Sequence, residues 1–152
     1  MHDLRFIRIG SGYVSERVLL EFFEKIKDEP YFHPFCITAQ FAKAVVDSEN
    51  NDEFWFFYID NFLTGYGFIR GWYDNWPEKV LGIVIEPEER EKGYGELFCR
   101  LLEFVAKKRG VENLRLHVNK NNTEAYNLYR KLGYLFSGGQ TDKGDLIGRK
   151  DL

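Results

Sequence analysis

The length, composition and charge of the chain narrow its class at once. Its 152 residues suit one domain, so we expect a single domain over residues 1–152, and a hydrophobic content of 44% with 17% aromatic residues excludes a disordered chain. The formal net charge of −3 disfavours a general nucleic-acid binder, which is normally basic. No apolar run approaches the roughly 20 residues of a membrane-spanning helix.

Two further features bear on the compartment. The first residues, Met1 to Arg5, show no basic segment followed by an apolar one, so we predict no signal peptide. Cys36 and Cys99 are far apart and fit no metal-ligand spacing. We therefore expect a cytoplasmic protein with two reduced, buried thiols and no metal site.

The first third of the chain is predicted to form one strand and two helices. Leu4 to Ile9 alternate as a short strand. Ser15 can cap a helix that Asp28-Glu29-Pro30 ends, and a second short helix follows Thr38. Both helices carry an apolar face. The inward residues are Leu19, Phe22, Phe23 and Ile26 in the first helix and Phe41, Ala42, Val45 and Val46 in the second.

The middle of the chain has the period of β-structure. Glu53–Ile59 and Phe62–Trp72 are rich in aromatic and β-branched residues, and Asp60-Asn61 between them tolerates the left-handed backbone of a tight hairpin turn. Val80–Ile85 is a nearly continuous apolar run, as in a strand buried on both faces. Gly82 interrupts this run and could mark a β-bulge.

The strongest helical pattern begins at Gly93. Its apolar positions and its favourable i,i+4 ion pairs predict a long helix that Gly110 ends. The apolar positions are Tyr94, Leu97, Phe98, Leu101, Leu102 and Val105, and the pairs are Glu96 with Arg100 and Glu103 with Lys107. After it come a strand with Leu114, Leu116 and Val118, a helix from about Thr123 to Leu132, and a closing pair of strands at Tyr134–Ser137 and Leu146–Lys150. This order predicts one mixed α/β sheet with helices on its faces.

One stretch, from Ile83 to Gly95, combines a buried strand, a turn and the start of the strong helix. The first N–H groups of a helix lack an internal partner, and the helix dipole is positive there. Gly93 and Gly95 let a ligand approach the backbone closely. Arg90 and Lys92 add positive charge at the same place. The pattern is typical of a site for a diphosphate.

An ordinary strand–helix turn with two incidental glycines is the alternative interpretation of this stretch. The third glycine of a dinucleotide-binding fingerprint is missing, because Phe98 stands in its place. The Gly-Lys-Ser/Thr of a nucleoside triphosphate loop is missing too. These differences disfavour both nucleotide-binding motifs.

Two motifs resemble those of the GNAT superfamily of N-acetyltransferases. Arg90 to Gly95 (Arg-Glu-Lys-Gly-Tyr-Gly) matches that family's arginine-x-x-glycine-x-glycine signature, and Ile85-x-Pro87 precedes it in the family's form. Asn122 to Tyr134 resembles the second motif, which is asparagine, alanine, tyrosine and glycine-aromatic. The resemblance covers residues 53–150 well. It implies a GNAT-like α/β fold with a mostly antiparallel sheet of about seven strands, a splayed parallel pair and about four helices.

The resemblance also implies acetyl-CoA as co-substrate. The N–H groups of Lys92 to Gly95 would hold its pyrophosphate, and Asn122 would touch the cofactor. The backbone of Ile83 and Ile85 would pair with the pantetheine arm in the gap between the splayed strands. The expected cofactor-binding residues are Ile83, Val84, Ile85, Arg90, Glu91, Lys92, Gly93, Tyr94, Gly95 and Asn122.

By the same resemblance, Tyr129 would lie near the sulfur. A thiol titrates near about 8.5 and a tyrosine near about 10, so Tyr129 can protonate the leaving thiolate without a large pKa shift. A core tyrosine on an apolar helix face is the alternative. The strand N–H near Ile83 is the candidate donor to a developing oxyanion.

A base is also expected, because an alkyl amine with a pKa of about 10.4 is almost entirely protonated at neutral pH. Many family members carry a glutamate early in the fourth strand, where this chain has Lys79 or Val80, so that role does not transfer. The remaining candidates are Asp74, Glu78, Glu86, His33 and His117. A structural role is the alternative for both histidines.

The acceptor of the acetyl group is the least defined part of the site. Aromatic clusters at 31–35 and 72–73 could line an acceptor pocket, or could belong to the core or to a dimer surface. The acceptor-site candidates are Tyr31, His33, Trp72, Asp74 and Trp76.

Three functions remain in competition. The chain could be an N-acetyltransferase for an unidentified primary amine, a non-catalytic acyl-CoA-binding module on the same fold, or a protein-interaction domain whose loop binds nothing. The two intact motifs favour the enzyme. Its expected partners are acetyl-CoA and an amine, without nucleic acid or membrane, and a homodimer stays open.

Overall fold

A computed structural model describes residues 1–10, 15–31, 39–46 and 51–152 of the chain, apart from the side chains at positions 39, 41 and 44. Within these residues the strands and helices follow the predicted order. The strands are β1 (Leu4–Arg8), β2 (Glu53–Ile59), β3 (Phe62–Arg70), β4 (Lys79–Ile85), β5 (Asn113–Val118), β6 (Leu135–Gln140) and β7 (Leu146–Asp151). The α-helices are α1 (Glu16–Ile26), α2 (Ala39–Val46), α3 (Tyr94–Lys108) and α4 (Thr123–Lys131), and Pro87–Glu89 form a 3₁₀ turn. None of these helices is long and apolar enough to cross a bilayer.

The seven strands form one sheet in the order β1-β2-β3-β4-β5-β7-β6. Neighbouring strands are antiparallel except for the central pair, β4 and β5, which run parallel. This parallel pair is short, with Lys79 opposite Leu114 and Val80 opposite Arg115, and the two strands then part. The mostly antiparallel sheet with a splayed parallel pair is therefore confirmed.

A hydrophobic core lies on each face of the sheet. On one face α1 and α2 pack against β2 and β3, and the buried face of α1 is the predicted one. On the other face α3 and α4 pack against β3, β4 and β5. The first core includes Leu19, Phe22, Phe23, Ile26, Phe54, Phe56, Tyr66 and Val84. The second includes Phe57, Ile69, Leu81, Phe98, Leu102, Leu114, Leu116 and Tyr129.

The local turns and caps follow the sequence closely, with one exception. Ser15 accepts a hydrogen bond from the Val18 N–H and caps α1, and Asp60 and Asn61 form the hairpin turn at positive φ. The predicted β-bulge at Gly82 is wrong, because β3 and β4 stay in register through this position. A Cβ atom at Gly82 would lie 2.4 Å from the ring of Phe68, so the glycine makes room for that ring.

Helix α3 is rotated relative to its predicted apolar face. Its buried residues are Phe98, Cys99, Leu102, Glu103 and Ala106. Leu97 of the predicted face is 40% exposed. The pair of Glu96 with Arg100 forms, but Glu103 binds Lys150 of β7 at 2.7 Å instead of Lys107. The ion pair with Lys150 therefore lets the Glu103 carboxylate lie on the side of α3 that packs against the sheet.

Gly67 on β3 sets how closely α3 approaches the sheet. A Cβ atom at this position would lie 2.8 Å from Phe98 and 2.9 Å from Leu102. We predict that Gly67→Ala lowers the free energy of unfolding by about 1–3 kcal/mol, as overpacking of a core does. Urea denaturation measures the change.

Gly139→Ala is the matched control for that variant. A Cβ atom at Gly139 would make an ordinary 3.7 Å contact with Ile147. We expect its stability to stay within about 0.5 kcal/mol of the original protein. Equal stability of the two variants would contradict the close approach of α3 at Gly67.

Candidate active site

The divergence of β4 and β5 opens a cleft of about 1010 Å³ in the middle of the sheet. One wall is β4 from Val80 to Ile85, and the other is formed by His117, Val118 and Asn119 at the end of β5. Helix α4 and the start of α3 close one side, with Leu128 and Tyr129 facing the cleft. The cleft therefore lies where Tyr129 and most of the predicted cofactor-binding residues come together.

The main chain of β4 faces this cleft at alternate residues. The Glu86 N–H donates to the Thr64 carbonyl of β3 at 2.8 Å. Because hydrogen-bonding direction alternates along an antiparallel strand, Leu81, Ile83 and Ile85 direct their N–H and carbonyl groups to the opposite edge, toward β5. The last registered pair with β5 is Val80 opposite Arg115, so the groups of Ile83 and Ile85, which lie beyond that pair, border the gap.

Two of the predicted β4 residues need a correction in detail. The Ile85 carbonyl accepts a hydrogen bond from Arg90 Nε at 3.0 Å, so Ile85 presents only its N–H to a ligand. Val84 directs its main chain toward β3 by the same alternation, although it also lines the cleft. Ile83 is thus the residue of this group whose N–H and carbonyl both border the gap.

The start of α3 offers a row of free main-chain donors. Gly93 is the N-cap with φ +85°, and the first helical hydrogen bond runs from the Leu97 N–H to the Gly93 carbonyl. Within the described part of the chain, the N–H groups of residues 91–96 donate to no protein acceptor. Apart from Gly93 itself and its chain neighbours, no described atom lies within 4 Å of a Cβ placed at Gly93. The open space and the positive end of the helix dipole suit an anion.

The basic side chains of the loop before α3 are paired within the protein. Arg90 forms a two-pronged ion pair with Glu29, which follows α1. Lys92 binds Glu89 at 2.9 Å and does not line the cleft. The expectation that Arg90 and Lys92 add positive charge to the site is therefore corrected. Arg90 fastens the loop before α3 to β4 and α1, and the main-chain amides are the exposed donors.

Three other predicted residues have defined positions on the helices. Asn122 lines the cleft and caps α4, because its Oδ1 accepts the Ala125 N–H at 3.1 Å. Gly95 also lines the cleft, and a Cβ there would lie 3.3 Å from Leu128. Tyr94 does not line the cleft, since its ring packs against Phe57 with centroids 5.6 Å apart.

Tyr129 on α4 lines the cleft and is 5% exposed. Burial raises the pKa of its hydroxyl well above the ordinary value, and the buried thiol of Cys99 adds to the effect. The expectation of a near-ordinary pKa for Tyr129 is wrong. The hydroxyl is thus held in its protonated form, which is the form that donates a proton.

The acceptor-site candidates differ in whether they line the cleft. His33 lies outside the described residues. Tyr31 and Trp76 line the cleft. Trp72 does not line it, because the guanidinium of Arg109 stacks 3.7 Å from its ring centre. Asp74 does not line it either and lies 3.9 Å from Arg70.

The candidate bases also differ in whether they line the cleft. Glu78 is held by Arg149 at 2.6 Å and by Arg115 at 3.6 Å, and Arg149 lowers the pKa of the Glu78 carboxyl. Glu86 pairs with Lys25 and does not line the cleft. His117 lines it. Of these two carboxylates and the histidine, only the histidine faces the site.

The sequence did not reveal the hydrogen bonds that hold the loop containing Trp76. The buried carboxylate of Asp52 accepts hydrogen bonds from the N–H groups of residues 71–73 at 2.8 to 3.2 Å. Lys79 Nζ donates to the carbonyls of Gly71 at 3.0 Å and Trp76 at 2.6 Å. The signal available in the sequence was Lys79, a charged residue at the start of the apolar strand β4.

Comparison with known proteins identifies the class. The chain matches the acetyltransferase (GNAT) family over residues 17–134 and belongs to that family. It is similar to thialysine N-epsilon-acetyltransferase of Mus musculus, with 28% identity over 109 residues. That match spans 70% of this chain and 57% of the mouse protein.

Solved structures share the fold. The GNAT domain of S. lividans PAT superposes with a TM-score of 0.81 at 15% identity, covering 98% of this chain and 90% of that one. The PaiA N-acetyltransferase of Thermoplasma acidophilum, in complex with coenzyme A, superposes with a TM-score of 0.73 at 18% identity, covering 99% of each chain. At these identities the likeness concerns the fold.

The Glu29–Arg90 pair makes a testable claim about the loop before α3. We predict that Glu29→Gln and Arg90→Gln each lower the free energy of unfolding by about 1–3 kcal/mol, because a charged partner is lost from a mostly buried contact. The double variant should lose less than the sum of the two single variants, by about 0.5–3 kcal/mol. Thermal or urea denaturation of all four proteins gives the coupling energy.

The Lys92–Glu89 pair in the same loop serves as the control. Its lysine side chain is 51% exposed. We expect a coupling energy of at most about 0.5 kcal/mol there, as for other surface ion pairs. Equal coupling in the two pairs would show that Arg90 does not fasten the loop.

Proposed function

We propose that the protein is an acetyl-CoA-dependent N-acetyltransferase that acts on a primary amine. The observation that carries the proposal is the row of N–H groups at residues 91–96, which have no acceptor among the described residues and belong to a segment that lines the cleft between two parting strands. A diphosphate suits these donors. Membership of the acetyltransferase (GNAT) family supports acetyl-CoA as the molecule that carries it.

Different segments along the cleft bind different parts of acetyl-CoA. The N–H groups of residues 91–96 bind the pyrophosphate at one end. The main chain of Ile83 and Ile85 binds the pantetheine arm as a neighbouring strand would. The Ile83 N–H is the donor to the developing oxyanion. The arm thereby directs the thioester toward the point where β4 and β5 separate.

Tyr129 donates a proton to the leaving sulfur. Its raised pKa does not by itself oppose this step, because the same buried surroundings raise the pKa of a thiol placed beside it. The tyrosine regains a proton before the next turnover. Acetyl-CoA supplies the activated acyl group.

A cytoplasmic location is part of the proposal. Cys99 is a free thiol buried in α3. Reduced cysteines are the rule in the cytosol, and the thiol thus supports this location.

A two-step experiment tests the function as a whole. Calorimetry with acetyl-CoA measures binding, and a thiol-release assay then surveys putrescine, glucosamine, kanamycin, Nα-acetyllysine and a peptide with a free N-terminus. We expect saturable binding and coenzyme A release with at least one of these acceptors. Binding without release would leave the non-catalytic module, and no binding would refute both.

A substitution at Gly93 tests the amide site itself. We predict that Gly93→Asp raises the Kd for acetyl-CoA at least tenfold, about 1.4 kcal/mol, because a carboxylate would stand where the diphosphate binds. Calorimetry at constant salt measures the change.

Gly110→Asp is the matched control for that variant. Gly110 also has positive φ, at +77°, and also has open space around a Cβ, but it lies at the opposite end of α3. Its Kd should equal that of the original protein. Similar affinities of the Gly93 and Gly110 variants would contradict binding at the start of α3.

Tyr129→Phe tests the acid. We predict that kcat falls about 10²–10⁴-fold, the usual effect of losing a general acid, while the Kd for acetyl-CoA is unchanged. Tyr126→Phe is the control, since Tyr126 lies on the same helix but packs against Phe136. Turnover of the Tyr129 variant at the rate of the Tyr126 variant would refute the assignment.

A further inference from the structure

His117 and Tyr129 lie on opposite faces of the sheet. Leu114, Leu116 and Val118 of β5 are buried in the core beneath α3 and α4, where Tyr129 also lies. Side chains alternate along a strand, so His117 points to the other face, the face that carries α1 and α2. It follows Arg115 by two positions, and Arg115 is where the pairing of β5 with β4 ends. His117 therefore stands beside the start of the gap.

The charged groups around His117 favour its neutral form. The ring keeps much of its surface open to the cleft, yet partial burial lowers its pKa, and Arg115 lowers it further. Arg149 acts in the same direction, while Asp145 and Glu78 oppose it. Glu78 itself is bound to both arginines. A neutral imidazole at physiological pH can accept a proton.

The carboxylates of the cleft are less suited to that task. Glu29 is paired with Arg90, and Glu96 is paired with Lys131 and Arg100. Glu91 and Glu124 stand near the starts of α3 and α4, at the phosphate end. The last two, Asp142 and Asp145, lie between β6 and β7. A carboxylate is in general also a much weaker base than an imidazole.

We infer that His117 is the general base that deprotonates the acceptor amine, an inference that rests on the proposed acetyl transfer. One imidazole nitrogen takes a proton from the ammonium group and passes it to solvent. The amine nitrogen then bonds to the acyl carbon as the carbon–sulfur bond breaks. The sulfur takes the proton of Tyr129, and the second proton of the amine restores it. One amide, one thiol and one released proton balance the reaction.

The pH profile of His117→Gln tests this role. In the original protein we expect kcat/KM, measured with the most active amine of the survey, to fall below an apparent pKa lower than about 6.5. NMR titration of the labelled histidines, which are His2, His33 and His117, should give the same pKa for His117. The variant should lose this limb and about 10²–10⁴-fold in kcat, with unchanged acetyl-CoA affinity.

Two further variants and a control separate catalysis from a structural role. Added imidazole should restore turnover to His117→Ala. Asp145→Asn should move the limb to lower pH, because Asp145 raises the pKa of His117. His2→Gln, which alters the histidine next to Asp60, should leave the profile unchanged.

Two results would overturn the inference and are distinguishable. If the original protein releases coenzyme A but His117→Gln keeps its rate and its acid limb, His117 is not the base and the acetyltransferase proposal stands. If the original protein binds acetyl-CoA but acetylates none of the amines, the proposed function fails and this role fails with it.

Discussion

The rest of the site depends on the short parallel contact between β4 and β5. β4 holds six registered pairs with β3 and β5 holds six with β7, but β4 and β5 share only two with each other. The contact joins two antiparallel parts of the sheet, β1–β4 and β5–β7. Each part twists on its own, so the two parts separate beyond the contact. Main-chain groups of β4 are left at an open internal edge, and such groups need hydrogen-bonding partners. A ligand that adds to this edge supplies them.

The start of α3 is fixed relative to that gap by close packing. Gly67 lets Phe98 and Leu102 lie directly on β3, and Gly95 lets the helix begin against Leu128. Arg90 fastens the preceding loop to Ile85. These contacts all lie within the protein, and a loop held by its own contacts has little left to order on binding, which favours affinity.

The predictable features of the chain are those set by nearby residues. The buried face of α1, the Asp60-Asn61 turn and the order of elements all follow from local periodicity and turn chemistry. The Arg-x-x-Gly-x-Gly stretch located the open amides for the same reason, since a helix start leaves its own N–H groups unpaired.

The errors occur where a distant residue decides. Glu103 is buried because Lys150 of β7 meets it, and this contact rotates α3 away from its predicted face. Arg90 was expected to add positive charge at the phosphate site. Its guanidinium is instead paired with Glu29, which is far away in the sequence. Trp72 was one candidate for the acceptor pocket, and Arg109 covers its ring instead. No local pattern reports such partners.

The two faces of the sheet also constrain how a substrate can enter the proposed enzyme. Among the described residues, the face under α3 and α4 is filled by the core that contains Tyr129, the proposed acid. The opposite face carries His117, so the proposed mechanism brings the acceptor from that side. The cleft-lining aromatic rings of Tyr31 and Trp76 provide apolar surface for it. In the proposed mechanism, the alternation of side chains along the six-residue strand β5 thus places the base and the acid on opposite faces of the sheet.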